Sequence, residues 1–465
     1  MTKTRIVLIG AGSASFGVDT IAAVLAARER LRGCTLALVD IDPVALGTMT
    51  ELARRANDEL DAGLEIESFT DRREALPDTD FVIVSVEVDR YAAWTRDWEI
   101  ARAHGVANAY SENGGPGGLS HSLRTVPIVV DICQDVAELA PDALVLNYTN
   151  PMSRVCLAAA RHTGVKIVGM CHQIGNAYYE VGRVLGWIDA PADSKEEIAQ
   201  AEAVAGRIAI EACGINHCTF ITQLWDRDTE TDLYPLFRRR LGEMPPEFSP
   251  LSRRLNDAFG LYPTGGDRHI SEYVGWAPEV TDVTPPFDFW DRRAAKRVER
   301  IEAALAGELA LTDLFGRENE FELDRAVDIV TAILHGTDQL ELAVNVVNDG
   351  CIPGLPDWAI VEVPAVVGAG GVRPLRMGPL PTGLLAMLAQ QITIQDLVVE
   401  AAVRGDRRAA LQSLLLDPVT SERFAANEGL IDELLEAHGS LLPRFGASNG
   451  SADASASASI AAVKR

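Results

Sequence analysis

Residues 169–173 read GMCHQ and residues 213–219 read CGINHCT. The first stretch puts Cys171 and His172 directly after an apolar run. The second puts His217 after a Gly-Ile-Asn turn. A thiolate and a neutral imidazole are both ligands for divalent transition metals. Their separation, 217 − 171 = 46 positions, fits no structural zinc pattern, which takes four ligands in close pairs. Two protein ligands completed by substrate oxygens and water make an open site, and such a site suits Mn²⁺. The residue types alone leave a plainer alternative open. A cysteine at a strand end often packs as a small hydrophobe, and a histidine after a turn often caps it or faces solvent.

The elements around these residues predict where they meet. RIVLIGAGSASFG is an apolar strand, a glycine turn and the start of a helix over about Phe16–Glu29. Gly10 permits the turn and Gly12 lets the backbone approach a pyrophosphate. Ser15 takes the third place of the G-x-G-x-x-G pattern, and the helix start offers free N–H groups. The predicted cofactor set is Gly10, Gly12, Ser13, Ser15, Phe16 and Asn150, with Asp40 and Asp42 at the end of CTLALVDID. A carboxylate there takes ribose hydroxyls and repels a 2′-phosphate, which favours NAD over NADP.

FVIVSVEV (81–88), DALVLNYTNP (142–151) and VKIVGMCHQ (165–173) add further buried strands, with helical patterns between them. This alternation predicts an α/β fold with a Rossmann-like, doubly wound parallel sheet. Ligands of such sheets sit at the carboxyl ends of the strands. Asn150, Cys171 and His172 share that rim. SENGGPGGLSHSLRT (111–125) reads as a glycine-rich loop before a helix from about Leu119, and it carries His121 and Arg124 as substrate candidates. RIAIEACGINHCTFITQLW reads as an antiparallel hairpin with His217 at its turn.

The whole chain sets bounds. Its 465 residues predict a nucleotide-binding domain over 1–174 and an α+β substrate and oligomerisation lobe over 175–445. The Ala/Ser-rich segment 446–465 reads as a mobile tail. In the lobe, a helix is expected near Leu323–His335 and strands near 341–347 and 359–367. The net charge of −25, from 67 acidic and 42 basic residues, argues against nucleic-acid partners. Seven cysteines without a framework, and no apolar run of about 18 residues, point to a cytoplasmic protein with no membrane span.

Taken together, Gly10/Gly12, GGPGGLSHSLRT, NYTNPMS, GMCH, GINH, FGLYPTGGDRHISEY and VNVVNDGCIPGLPDWAIVEVPAVV (344–367) resemble glycoside hydrolase family 4, in order and over nearly the whole chain. The resemblance implies a glycosidase that uses NAD⁺ and Mn²⁺ and works as a homodimer or homotetramer. It implies Cys171 and His217 as metal ligands and Asn150 as a substrate contact near the metal. Asp267 is the implied base, with Tyr262 as its rival, and His172 is a candidate acid. The implied route is oxidation at sugar C3, removal of the C2 proton, elimination of the aglycone, addition of water and return of the hydride.

The substrate reading starts from one departure. Members acting on 6-phospho-glycosides have Asn after the metal-binding Cys, whereas this chain has His172. That favours a non-phosphorylated glycoside. Arg268 or Arg124 offers paired N–H donors for a carboxylate or sulfonate, so an anionic glycoside is the first expectation. A neutral α-glucoside or α-galactoside is the next. The rivals outside this class are an NAD-dependent 2-hydroxy-acid dehydrogenase and a non-catalytic NAD sensor.

Overall fold

The computed structural model describes residues 3–107, 112–192, 194–315, 325–420, 424–442 and 444–445. The segment expected as a mobile tail lies outside them. One sheet of twelve strands runs through the molecule. Its first half is parallel: β1 (Arg5–Ile9), β2 (Thr35–Val39), β3 (Glu65–Phe69), β4 (Phe81–Val84), β5 (Leu144–Asn147) and β6 (Lys166–Gly169) lie in the order β3-β2-β1-β4-β5-β6. The order reverses between β1 and β4, so a crevice opens there at the carboxyl ends of the strands. This is the predicted Rossmann-like arrangement.

The strands form because their residues alternate between two cores. Ile6 and Leu8 of β1 enter one apolar cluster, and Val7 and Ile9 enter the other. With both faces covered, β2 is buried at every position. The helix after the glycine turn is Phe16–Ala26, and a separate short turn of helix covers Arg28–Leu31. The expectation of one helix to Glu29 merges the two.

The second half extends the same sheet in antiparallel fashion. It comprises β7 (Ile208–Ile215), β8 (Cys218–Asp226), β9 (Thr231–Asp232), β10 (Gln339–Val347), β11 (Ile360–Gly368) and β12 (Gly371–Pro374). β10 joins β6 through Asn345 and Gly169, and β11 joins β7 through Glu362 and Gly214. A third apolar cluster packs the helix Gln173–Leu185 against the β7–β8 hairpin. The helix expected near Leu323–His335 is described as Arg325–His335.

Two elements differ from the sequence expectation. The glycine-rich stretch is not a loop up to Leu119. Gly115 and Pro116 already begin the helix Gly115–Leu139, because Pro suits a first turn, where its missing N–H costs nothing. The helix Thr382–Arg404 is long and apolar enough to cross a bilayer. It packs against the helices Gly115–Leu139, Met152–Thr163 and Arg407–Leu416 and buries Leu384, Leu388, Val398 and Val399, which is how a core helix behaves.

Candidate metal and nucleotide site

His217 sits in the two-residue turn between β7 and β8 with φ of +62°. A non-glycine residue in that region costs about 1 kcal/mol or more, and the surroundings enforce it. Glu362 lies under the turn and accepts from Asn216 Nδ2 (3.1 Å), Thr219 Oγ1 (2.8 Å) and Asn345 Nδ2 (2.9 Å). The Tyr273 hydroxyl donates to the Asn216 carbonyl at 3.0 Å. On the opposite side, Arg325 donates to the Cys171 carbonyl at 2.9 Å while paired to Glu341 at 2.8 Å. Both loops are thus bolted from behind.

The two loops face each other. Burial would depress the His217 imidazole, but the adjacent Cys171 sulfur, joined by Glu272 and Glu112, holds it well above its ordinary value. His217 Nδ1 also lies 2.9 Å from Asn113 Nδ2. His269 packs against His217 with ring centroids 4.1 Å apart. Glu272 accepts from the backbone N–H groups of Asn113 and Gly114 through one oxygen. Its other oxygen lies 3.9 Å from Nδ1 of both histidines. Burial pushes this carboxyl up, yet the two histidines prevail and bring it to about 2.

Glu112, His217, His269 and Glu272 each offer a ligand atom within 4.8 Å of the others. Nitrogen and oxygen donors therefore converge on one point, and the Cys171 sulfur lies outside that tight group, beside His217. The field that holds a proton on His217 is the field that favours a divalent cation in its place. Asn150 borders the group: its Nδ2 donates to Glu112 at 3.2 Å, and its Oδ1 is buried with no partner among the described residues. A buried orphan acceptor costs about 1–3 kcal/mol and suits a site completed by a ligand. The donor set therefore fits a resident divalent metal.

The glycine turn fits a dinucleotide by the same standard. A β-carbon on Gly10, at φ of +92°, would collide with the Ser85 carbonyl, and one on Gly12 would lie 2.8 Å from Asp40 Oδ2. Asp40 accepts from Gly12 N (2.8 Å) and Asp42 N (2.9 Å), so it shapes the turn while keeping lone pairs for a ribose. Asp42 caps the helix Pro43–Glu59 through Val44 N and Ala45 N. Its carboxylate is a cap, which leaves Asp40 as the ribose candidate. Ser13 Oγ accepts from Ser15 N at 3.3 Å. Phe16 lies beside the ring of His172 (6.4 Å), and His172 stacks on Tyr148 (5.6 Å, 9°). These contacts bring the glycine turn and the loop of Cys171 together.

Other predicted residues have different surroundings. Arg124 is buried in a bidentate pair with Asp97 (3.2 and 2.7 Å), and Asp97 is also 2.7 Å from His438. It is closed to a substrate carboxylate, because an internal acid already occupies both arms. His121 is buried between the Glu112 carbonyl (3.0 Å) and Glu87 (3.0 Å), so it braces the Glu112 loop. Arg268 is exposed. Asp267 accepts from Leu251 N, Ser252 N and Ser252 Oγ at 2.7–2.9 Å and remains partly exposed. Tyr262 is fully buried and donates to Glu180 at 2.7 Å. Burial and Glu180 hold its proton well above the ordinary tyrosine range.

Sequence reasoning did not single out Glu112, Asn113, His269 and Glu272. The signal was present for two of them: in DRHISE, His269 and Glu272 have i, i+3 spacing at the end of a short helix.

Comparisons with known proteins place the chain in a family. A model of family 4 glycosyl hydrolases matches residues 5–186, and the model of that family's C-terminal domain matches residues 212–420. An α-glucosidase of Erwinia rhapontici is 32% identical, covering 93% of this chain and 97% of its own. An α-galactosidase of Bacillus subtilis is 31% identical, covering 95% and 99%. The crystal structure of a 6-phospho-α-glucosidase from gut microorganisms, in complex with NAD and Mn²⁺, superposes with a TM-score of 0.79 over 96% of this chain and 100% of its own, at 21% identity. The chain belongs to family 4 of the glycosyl hydrolases.

Proposed function

We propose that the protein hydrolyses a non-phosphorylated α-hexoside using NAD⁺ and Mn²⁺. The observations that carry this reading are the cluster of Glu112, His217, His269 and Glu272, with Cys171 beside His217, and a glycine turn of dinucleotide type. When bound, NAD⁺ supplies a reversible hydride acceptor for sugar C3, and Mn²⁺ supplies Lewis acidity at the neighbouring oxygens. Cys171 and His217 hold the metal, with Glu272 and His269 behind or beside them. The orphan Asn150 Oδ1 receives a sugar hydroxyl. His172, held flat on Tyr148, is suited to protonate the leaving oxygen.

Asp267 is the favoured base. It is partly exposed, and its cap bonds fix its orientation without using every lone pair. Tyr262 is sealed from the cleft and holds its proton tightly.

A neutral sugar is preferred over an anionic one. Of the two arginines considered for a carboxylate, Arg124 is already neutralised by Asp97, and the two relatives above are named for neutral sugars. The uronide reading keeps the exposed Arg268 and a relative of its own, an α-galacturonidase of Bacillus subtilis that is 27% identical and covers 94% of this chain. The seven cysteines are free thiols, which supports a reducing, cytoplasmic setting for the homo-oligomer expected of this family. A panel of 4-nitrophenyl α- and β-glycosides and uronides, with and without NAD⁺ and Mn²⁺, tests the proposal. Release that needs both cofactors while no NADH accumulates supports it. Steady NADH production from a 2-hydroxy acid without metal replaces it with a dehydrogenase.

A further inference from the structure

The helix Phe287–Ala306 stands apart in charge. In a chain of net −25, its middle reads DRRAAKRVER, with Arg292, Arg293, Lys296, Arg297 and Arg300 in nine positions. It is fastened at both ends to the nucleotide half. Phe287 packs edge-on against Trp94 (4.9 Å) and Trp98 (5.8 Å). Arg55 Nη1 donates to the Leu305 carbonyl at 2.6 Å. Between these anchors Arg297 reaches the glycine turn, donating to Ser15 Oγ and lying 3.2 Å from Asp19 Oδ2.

Ser15 precedes the helix Phe16–Ala26, and no side chain caps that helix start. Its first N–H groups therefore have no capping acceptor. The positive end of an eleven-residue helix and a guanidinium meet at one place, three-quarters shielded on the arginine side. The acid that faces the guanidinium, Asp19, has a side chain 44% exposed, so water reaches it.

We propose that Arg297 clamps the pyrophosphate of the dinucleotide, exchanging the Asp19 carboxylate for a phosphate oxygen on binding. The inference rests on the NAD reading above. A helix start offers roughly half a positive charge against the two negative charges of a pyrophosphate. The overall acidic field opposes the ligand further. A guanidinium supplies the missing charge with a geometry matched to phosphate oxygens. Asp19 keeps it in position beforehand. Because Arg297 belongs to the second half of the chain, nucleotide binding also fastens the basic helix across the crevice.

The test is calorimetric binding of NAD⁺ and of ADP-ribose to the full-length wild type, Arg297→Gln and Asp19→Asn, without glycoside. Arg297→Gln is expected to weaken both ligands by about 10–100-fold and to flatten their salt dependence. Asp19→Asn is expected to bind both as tightly as the wild type or up to about 10-fold tighter, since a competitor is gone. Wild-type affinity in Arg297→Gln overturns the clamp and leaves the NAD reading standing. Equal weakening by both variants also overturns it, because the pair would then be a strut that merely holds the helix. Failure of the wild type to bind either ligand overturns the clamp and the NAD reading together.

Discussion

Glu272→Gln probes the electrostatics of the metal site without changing its shape. Glutamine can still accept from the N–H groups of Asn113 and Gly114, but it brings no charge to His217 and His269. A carboxyl brought to about 2 from its ordinary 4.5 contributes about 3 kcal/mol to folding. That contribution is fully present above pH ~4.5 and is lost as the pH falls toward the folded value near 2. In metal-free protein, Glu272→Gln should therefore lose about 2–3 kcal/mol at pH 7, read from urea unfolding. Between pH 7 and pH 3 the wild type should lose about 2 kcal/mol through this group, and the variant should not. Mn²⁺ affinity should also fall by about 10–100-fold, as when a group behind a ligand is removed. Identical urea midpoints and identical pH slopes in the two proteins would refute the assignment of a buried negative charge to Glu272.

Cys171→Ser and His217→Ala should each weaken Mn²⁺ by more than the ~10–100-fold seen for groups behind ligands, and peroxide should inactivate the wild type through the thiol; turnover that survives exhaustive chelation and peroxide speaks against the site. Asp267→Asn should cut kcat by about 10²–10⁴-fold and stop exchange of the sugar C2 hydrogen with solvent. Its urea midpoint should fall somewhat, because Asn keeps only one of the two oxygens that accept the cap bonds, so kcat is read where the variant remains folded; persistent exchange would move the role to Tyr262. Arg124→Leu should cost up to about 3–5 kcal/mol by leaving buried Asp97 with His438 as its remaining partner, with KM for neutral glycosides unchanged; a loss confined to uronides would restore Arg124 as the carboxylate grip. Asn150→Asp sets a second carboxylate against Glu112 and should lower kcat/KM by at least about 100-fold and also lower the thermal midpoint of the metal-free protein.

The nucleotide half was legible because its signals are local. An apolar strand, a glycine turn and a helix follow within about twenty residues, and Asp40, the acid suited to a ribose, comes directly after strand β2. The β7–β8 hairpin and the position of His217 followed from two apolar runs around a short turn. The partners of His217 did not, because Glu112 and the His269–Glu272 pair arrive from two other segments far from it in sequence. Sequence likewise gave no sign that Arg124 spends its charge on Asp97 and that Asp97 also meets His438, 341 positions further along. Asp42 reads as a ribose candidate from its position, and its second use, capping through Oδ1 the helix that Pro43 begins, is visible only in the structure. Such double uses are hidden where they differ only in tertiary contacts.

The central claim is that a sulfur from the loop after β6 and an imidazole from the β7–β8 turn grip one divalent ion. Cobalt(II) substitution tests it directly, since cobalt bound to a thiolate absorbs in the near ultraviolet through sulfur-to-metal charge transfer. The account predicts that band in the wild type, its loss in Cys171→Ser, and a changed visible spectrum in His217→Ala. A cobalt-loaded wild type without the band, or a band that persists in Cys171→Ser, would contradict it.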